Sequence, residues 1–361
     1  MENRRKTRAV KIGDTAIGSN NPILVQSMCN TDTSDFSSTY KQIKKLQKNG
    51  CEIVRVAVPN KKCLTALDML IKRVKIPIVA DIHFNYRLAL ASLDLGVCKI
   101  RINPGNIGGR KKYLEVLKKA EKCGAAVRLG VNSGSLDKSL LKKYGHPVPE
   151  ALAESALNYA DIADDAGFSR LVVSIKSTDA WSNYRANKIF SKKTDVPLHL
   201  GITEAGTPEY GAVKSAVGLG ALLINGIGDT IRVSLTGDPV LEIKAAFDIL
   251  KASGRRITTP EIISCPTCGR VQIDLEATVK SIEKQIKGKK LPIKVAVLGC
   301  VVNGPGEASE ADVGIAGGNG MGIIFRKGRE VARVPEKKMV EALVNEINKL
   351  EACFSGIKST G

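Results

Sequence analysis

The chain has 361 residues, 43% hydrophobic and 25% charged. That composition excludes a disordered chain, and the length exceeds one ordinary core. Lys and Arg outnumber Asp and Glu by 55 to 36, a net charge of +19, which favours anionic partners such as phosphorylated metabolites, nucleic acid or an acidic protein. Aromatic residues, at 4%, leave few rings for stacking on bases. The apolar runs are too short and glycine-rich to span a bilayer, and MENRRKTRAVKIGD has no apolar signal segment. A cytoplasmic protein with no nucleic-acid or membrane partner is expected.

In chain order, TRAVKIGDTAIG alternates around Gly-Asp and reads as a short hairpin. Eight apolar, β-branched runs follow between residues 21 and 235: NPILVQSM, EIVRVAVP, IPIVADI, VCKIRINP, AAVRLGVN, RLVVSIK, PLHLGIT and DTIRVSL. Helix-period segments such as TYKQIKKLQKNG and KKYLEVLKKAEKCG separate them, several closing on Gly. This pattern predicts a (β/α)8 TIM barrel over residues 1–255. A doubly wound sheet is the competing reading, but NPILVQSMCNTD lacks the glycine-rich turn such a sheet carries after its first strand. From Arg256 on, a strand (PEIISC), a helix (DLEATVKSIEKQIKGKK), a strand (IKVAVLGC), a glycine-rich loop, two strands (ADVGIAGG, GMGIIFRKG) and a last helix (PEKKMVEALVNEINKLEA) predict a smaller α+β domain over 256–361.

Barrel chemistry sits at the C-terminal ends of the strands, where residues two apart share a face. Asp81 and His83 follow the third run, Arg101 and Asn103 the fourth, and Arg128 and Asn132 the fifth. Lys176 ends the sixth, Glu204 the seventh, and Arg232 with Ser234 the eighth; Arg55 lies within the second. Charge inside a β-run is costly unless paired or bound to a ligand. Four arginines and a lysine against Asp81 and Glu204 leave excess positive charge, which suits a substrate with two or more phosphates. For any single arginine, a structural ion pair is the alternative. His199, in mid-strand, reads as a core histidine, and His146 receives no role.

The nine cysteines are an odd number in a chain without an export signal, which points to metal or redox chemistry. Cys29, Cys51, Cys63, Cys98, Cys123 and Cys353 are scattered, and most of them read as small buried apolar residues. Cys265 and Cys268 form C-x-x-C in SCPTCGR, and Cys300 opens GCVVNGPGE. A structural zinc would need a fourth Cys or His, which the second domain does not offer nearby. Three thiolates suit an iron–sulfur cluster with one differently ligated iron. Glu307 is a candidate fourth ligand, with an exposed carboxylate as the alternative.

SCPTCGR, LGCVVNGPGEASEADVGIAGG, ADIHFNYRLAL, KIRINPGNIG, VRLGVNSGSL, HLGITEAG and DTIRVSLTGDP together resemble the 4-hydroxy-3-methylbut-2-enyl diphosphate synthase family, over essentially the whole chain. The resemblance is to its compact bacterial two-domain form. It implies a 4Fe-4S oxidoreductase that reductively opens and dehydrates 2-C-methyl-D-erythritol 2,4-cyclodiphosphate in the non-mevalonate isoprenoid pathway. It also implies cluster ligands Cys265, Cys268, Cys300 and an exchangeable Glu307. Substrate contacts fall on Arg55, Arg101, Arg128, Lys176, Arg232, Ser234 and Asn303, and the acid on Glu204. Asn132, Asp81 and His83 join the candidate substrate-binding set by their places at the strand ends. Reduced flavodoxin or ferredoxin is the implied donor, and a head-to-tail homodimer the implied assembly. Two other readings stay open: a sirohaem-type iron–sulfur reductase, and a zinc-stabilised RNA-binding barrel.

Overall fold

The computed structural model describes residues 2–300 and 310–358. Val10–Ile12 (β1) and Thr15–Ile17 (β2) pair antiparallel around Gly13, which takes φ +58°. Eight parallel strands follow: β3 (Leu24–Met28), β4 (Ile53–Ala57), β5 (Ile78–Ile82), β6 (Lys99–Ile102), β7 (Ala126–Asn132), β8 (Leu171–Lys176), β9 (His199–Leu200) and β10 (Thr230–Ile231). They pair in the order β8-β7-β6-β5-β4-β3-β10-β9, and a parallel bridge from Val173 to Leu198 joins the two ends of that order. This is the predicted barrel.

β9 and β10 are shorter than their apolar runs. At their N-terminal ends Asp229 takes part of the ladder's place: its carboxylate accepts the Leu198 N–H at 2.8 Å and bonds Arg4 and Thr7. Several outer helices begin on a side-chain oxygen. Asp35, Asn85, Asp179 and Asp238 each accept a backbone N–H of the first turn. Inward-facing Leu24, Ile53, Val79, Ala126 and Val172 pack on Val10, Ile12 and Ile17, so the hairpin plugs the N-terminal end of the barrel and leaves the C-terminal end for chemistry.

The chain divides into two compact units, Met1–Arg256 and Ile257–Gly361. Arg256 stays with the barrel because its guanidinium holds both oxygens of Glu52, at 2.7 and 2.6 Å. The second unit is a five-stranded sheet, with β11 (Glu261–Ser264), β12 (Lys294–Leu298) and β13 (Val313–Gly318) parallel. β14 (Met321–Arg326) and β15 (Arg329–Pro335) add to it antiparallel. Helices Leu275–Ile286 and Met339–Lys358 contribute to its core through Ile282, Ile286, Leu343 and Ile347, which meet Val295, Val297 and Ile315 of the sheet. β15 has no counterpart in the predicted elements. REVARVP buries almost nothing; it is an edge strand held by its hairpin, with Lys327 and Gly328 both at positive φ, so it shows no apolar period.

Candidate active site

At the C-terminal end of the barrel a cavity of about 260 Å³ is lined by Arg55, Arg101, Arg128, Asn132, Lys176, Glu204, Arg232 and Ser234, with Gly130, Ser174 and Thr203 among them. Eight candidate residues, on or just after six of the eight strands, thus meet in one place. Parallel register brings them together: Asp81 sits opposite Arg101, and Arg101 opposite Arg128. Two glycines make room for the long side chains. A Cβ at Gly130 would lie 2.8 Å from Arg101 Nε, and one at Gly201 2.5 Å from Lys176 Nζ.

The cations are held in different ways. Asp81, buried, accepts from Arg101 Nη1 at 3.1 Å, lies 3.7 Å from Arg55 Nε and meets His83 Nε2 at 3.1 Å. Burial pushes this carboxyl up, but Arg55, His83 and Arg101 outweigh it and hold it well below the usual carboxylate range. Burial lowers Arg55 to about 10 against the pull of Asp81, so it is still charged at neutral pH. Arg232 donates from Nη2 and Nε to the two oxygens of Glu242, at 3.0 and 3.3 Å.

Arg128 is different. It is 1% exposed, and its Nε and Nη1 have no hydrogen-bond partner. Burial, then repulsion from Arg55 and Arg101, pushes its proton affinity well down, with Asp81 opposing. Lys176 is lowered in the same way, by burial and then by Arg128. Guanidinium N–H groups left unpaired in a buried site are costly unless a ligand completes them.

Glu242 escaped the sequence reading. It lies on helix Pro239–Ala252 and is 3% exposed. Besides Arg232 it accepts from Ser27 Oγ at 2.9 Å and Leu235 N at 3.2 Å. Its signal was a carboxylate on the apolar face of PVLEIKAAFDIL, among Ile243, Ala246 and Ile249. Glu242→Ala is expected to cost about 3–5 kcal/mol, because it strands a buried guanidinium; urea unfolding measures it.

Other candidates are placed less centrally. Glu204 is exposed at the rim, and its backbone takes φ +53°, a strained conformation of the kind found at functional sites. Asn103 turns its side chain to Gly105 N at 3.2 Å and caps a short helix. His199 is only half satisfied: Nδ1 meets Thr230 Oγ1 at 2.9 Å, and Nε2 has no partner.

In the second unit a separate cavity of about 160 Å³ is lined by Cys265, Cys268 and Cys300 with Arg270 and Val271. β11 and β12 run parallel, so the turns that follow them, carrying Cys265 and Cys300, lie at one end of the sheet. Gly299 N donates to Cys265 Sγ at 3.2 Å. Backbone and side-chain bonds from Arg270 lower the exposed Cys268 thiol. Three free thiols line this one cavity, with N–H groups beside Cys265 and Cys268, a donor chemistry that fits an iron–sulfur cluster; among the described residues no three Cys, His, Asp or Glu are drawn together closely enough to hold a metal ion. Glu307 and Asn303 lie outside the described residues. Of the other cysteines, Cys29, Cys51 and Cys63 are buried, whereas Cys123 and Cys353 are exposed on helices.

Fold and site together define a (β/α)8-barrel protein built around a cationic well for an anionic ligand, with a thiol cavity in a second unit. The chain belongs to the GcpE family: its barrel-domain model matches residues 7–247 and its C-terminal-domain model residues 261–349. A relative from Persephonella marina is 53% identical, covering 97% of this chain and 100% of its own length; it is named 4-hydroxy-3-methylbut-2-en-1-yl diphosphate synthase (flavodoxin). Relatives from Aquifex aeolicus (51%; 97% of this chain, 98% of its own) and Clostridium perfringens (53%; 96% and 100%) carry the same name. Among solved structures, Yersinia pestis dihydropteroate synthase matches with a TM-score of 0.50 at 14% identity, over 68% of this chain and 98% of its own, a likeness of fold alone.

Proposed function

We propose that this chain reductively opens and dehydrates 2-C-methyl-D-erythritol 2,4-cyclodiphosphate to 4-hydroxy-3-methylbut-2-enyl diphosphate in isoprenoid biosynthesis. Reduced flavodoxin, the donor in the relatives' names, supplies the electrons. The observation that carries the site is Arg128, a buried guanidinium with unpaired N–H groups in a cavity it shares with Arg55, Arg101, Lys176 and Arg232.

Cys265, Cys268 and Cys300 would hold a 4Fe-4S cluster, with Glu307 as the exchangeable fourth ligand. When bound, the cluster supplies two electrons, one at a time, and a Lewis-acidic iron. The barrel residues do the rest. Arg128 and Lys176 grip the phosphates, while Arg55, Arg101 and Arg232, braced by Asp81 and Glu242, keep the field in place. That remote grip positions the ring carbons. As the carbon–oxygen bond to the ring phosphate breaks, charge grows on the phosphate oxygen, and the guanidinium groups stabilise it. The hydroxyl leaves as water on taking a proton, which Glu204 at the rim donates. Asn132, Ser234 and Asn303 orient the sugar, and His83 braces Asp81.

The second copy in the proposed homodimer covers helix Pro208–Ile224. This helix is apolar nearly all round, yet Val213, Val217 and Ile224 are each more than half exposed. Sedimentation over a concentration series tests it. The net charge of +19 suits an acidic electron carrier. Among the described residues no helix is long and apolar enough to cross a membrane.

The deciding experiment is anaerobic purification, metal analysis and turnover of the cyclic diphosphate with dithionite and a viologen dye. About four iron and four sulfide per chain with substrate-dependent dye oxidation is expected. Zinc in place of iron, without turnover, would overturn the reading, and sirohaem absorbance would redirect it. Glu204→Gln is expected to keep the cluster spectrum and lower kcat by about 10²-fold; unchanged kcat removes it as the acid.

A further inference from the structure

Beneath the arginines the barrel holds polar side chains that the proposed chemistry does not use. Gln26 on β3, Lys99 on β6 and His199 on β9 are 1%, 0% and 0% exposed. Alternation puts Lys99 on the inward face, two residues below Arg101. Its register partner on β7 is Ala126, two residues below Arg128. Lys99 Nζ, both amide atoms of Gln26 and His199 Nε2 have no hydrogen-bond partner. The apolar layer packed on the N-terminal hairpin closes this space from below. Nearby carboxylates are engaged elsewhere: Asp81 by Arg55, Arg101 and His83, and Glu242 by Arg232.

We propose that Lys99 is a reserve cation of the phosphate site: it takes a proton from solvent when the diphosphate binds and places a second buried positive charge beneath the anion. The inference rests on the phosphate-site reading above. In the free protein, burial and then Arg128 bring the Lys99 amine down to about 7, with the Cys98 thiol opposing, so above that pH most of it is neutral. The titratable and charged groups that act on it are Arg128 on β7 and Cys98, the residue before it in the chain, and Lys99 in turn acts on His199 of β9. Burial and the surrounding cations hold His199 neutral. The arriving phosphate brings negative charge beneath which Lys99 lies, and it opposes the repulsion that keeps the proton away.

The sign follows. The complex raises the amine above its free value. The affinity gained is therefore complete below pH 7 and is lost as pH rises through the bound value, by up to about tenfold per pH unit. Lys176 is lowered for similar reasons and gains a proton of its own, so the Lys99 share is read as a difference between proteins.

Calorimetric titration of the cluster-loaded, oxidised protein with the cyclic diphosphate at about pH 8, in two buffers of different protonation enthalpy, counts the protons taken up. Wild type is expected to take up more than Lys99→Met, by a large fraction of one proton, and to lose affinity more steeply toward alkaline pH. Lys99→Gln serves as a second neutral variant should the first not fold. His199→Gln is expected to retain the wild-type uptake. Equal uptake by wild type and both Lys99 variants overturns the proposal, as does loss of the proton in His199→Gln instead. Absence of diphosphate binding in wild type would refute the phosphate site itself; binding without a proton difference refutes only the role of Lys99.

Discussion

Arg128→Met is expected to weaken binding of the cyclic diphosphate by about two to three orders of magnitude and, at the same time, to raise the melting temperature of the free protein. The two effects have one cause. In the free barrel this guanidinium is 1% exposed, with Nε and Nη1 unpaired. It carries the desolvation cost of a buried charge without a carboxylate to offset it. Methionine fills similar space without that cost. In the complex, the same substitution removes charge-assisted bonds to phosphate, each buried pair being worth about 2–5 kcal/mol by truncation. A structural ion-pair arginine would behave in the opposite way, losing stability and leaving affinity nearly unchanged. Equilibrium binding and thermal unfolding on one preparation decide between them. Lower stability with wild-type affinity would move the phosphate site elsewhere.

Cys300→Ser is expected to reduce iron from about four per chain to near zero and to abolish turnover. Cys265 and Cys268 follow β11, while Cys300 follows β12, so the serine variant leaves thiolates on one turn only. Two adjacent thiolates do not hold a four-iron cluster. The barrel provides the control. Since Arg128 and its neighbours lie in the first unit, the variant should bind the cyclic diphosphate within about threefold of wild type, a difference under 1 kcal/mol. Full iron retention would sink the assignment of Cys300 as a ligand. Loss of diphosphate binding would show that the two units do not act as the separate modules proposed here.

Much of the architecture was legible because its signals are local. The eight β-branched runs became β3 to β10 in order, and the Gly-Asp turn became the hairpin that plugs the barrel. Arg55, Arg101, Arg128, Lys176 and Arg232 were legible as inward-facing cations because period-2 alternation fixes the face of each residue once its strand is known. What escaped was structure without a local apolar period. β15 is an edge strand held by backbone bonds to β14, and at the N-terminal ends of β9 and β10 the Asp229 side chain stands in for a ladder bond.

By itself, then, the sequence determined the element order, the identity of the cations and the three spaced thiols, for these depend on residue type and short-range periodicity. Which cation is paired was decided only by the tertiary structure. Asp81 engages Arg55 and Arg101, and Glu242, from a helix ten residues after Arg232, engages Arg232, which leaves Arg128 and the buried Lys99 without a carboxylate. Pairing depends on register across strands and on helix packing over them, and those long-range distances set where unneutralised charge remains to meet a ligand.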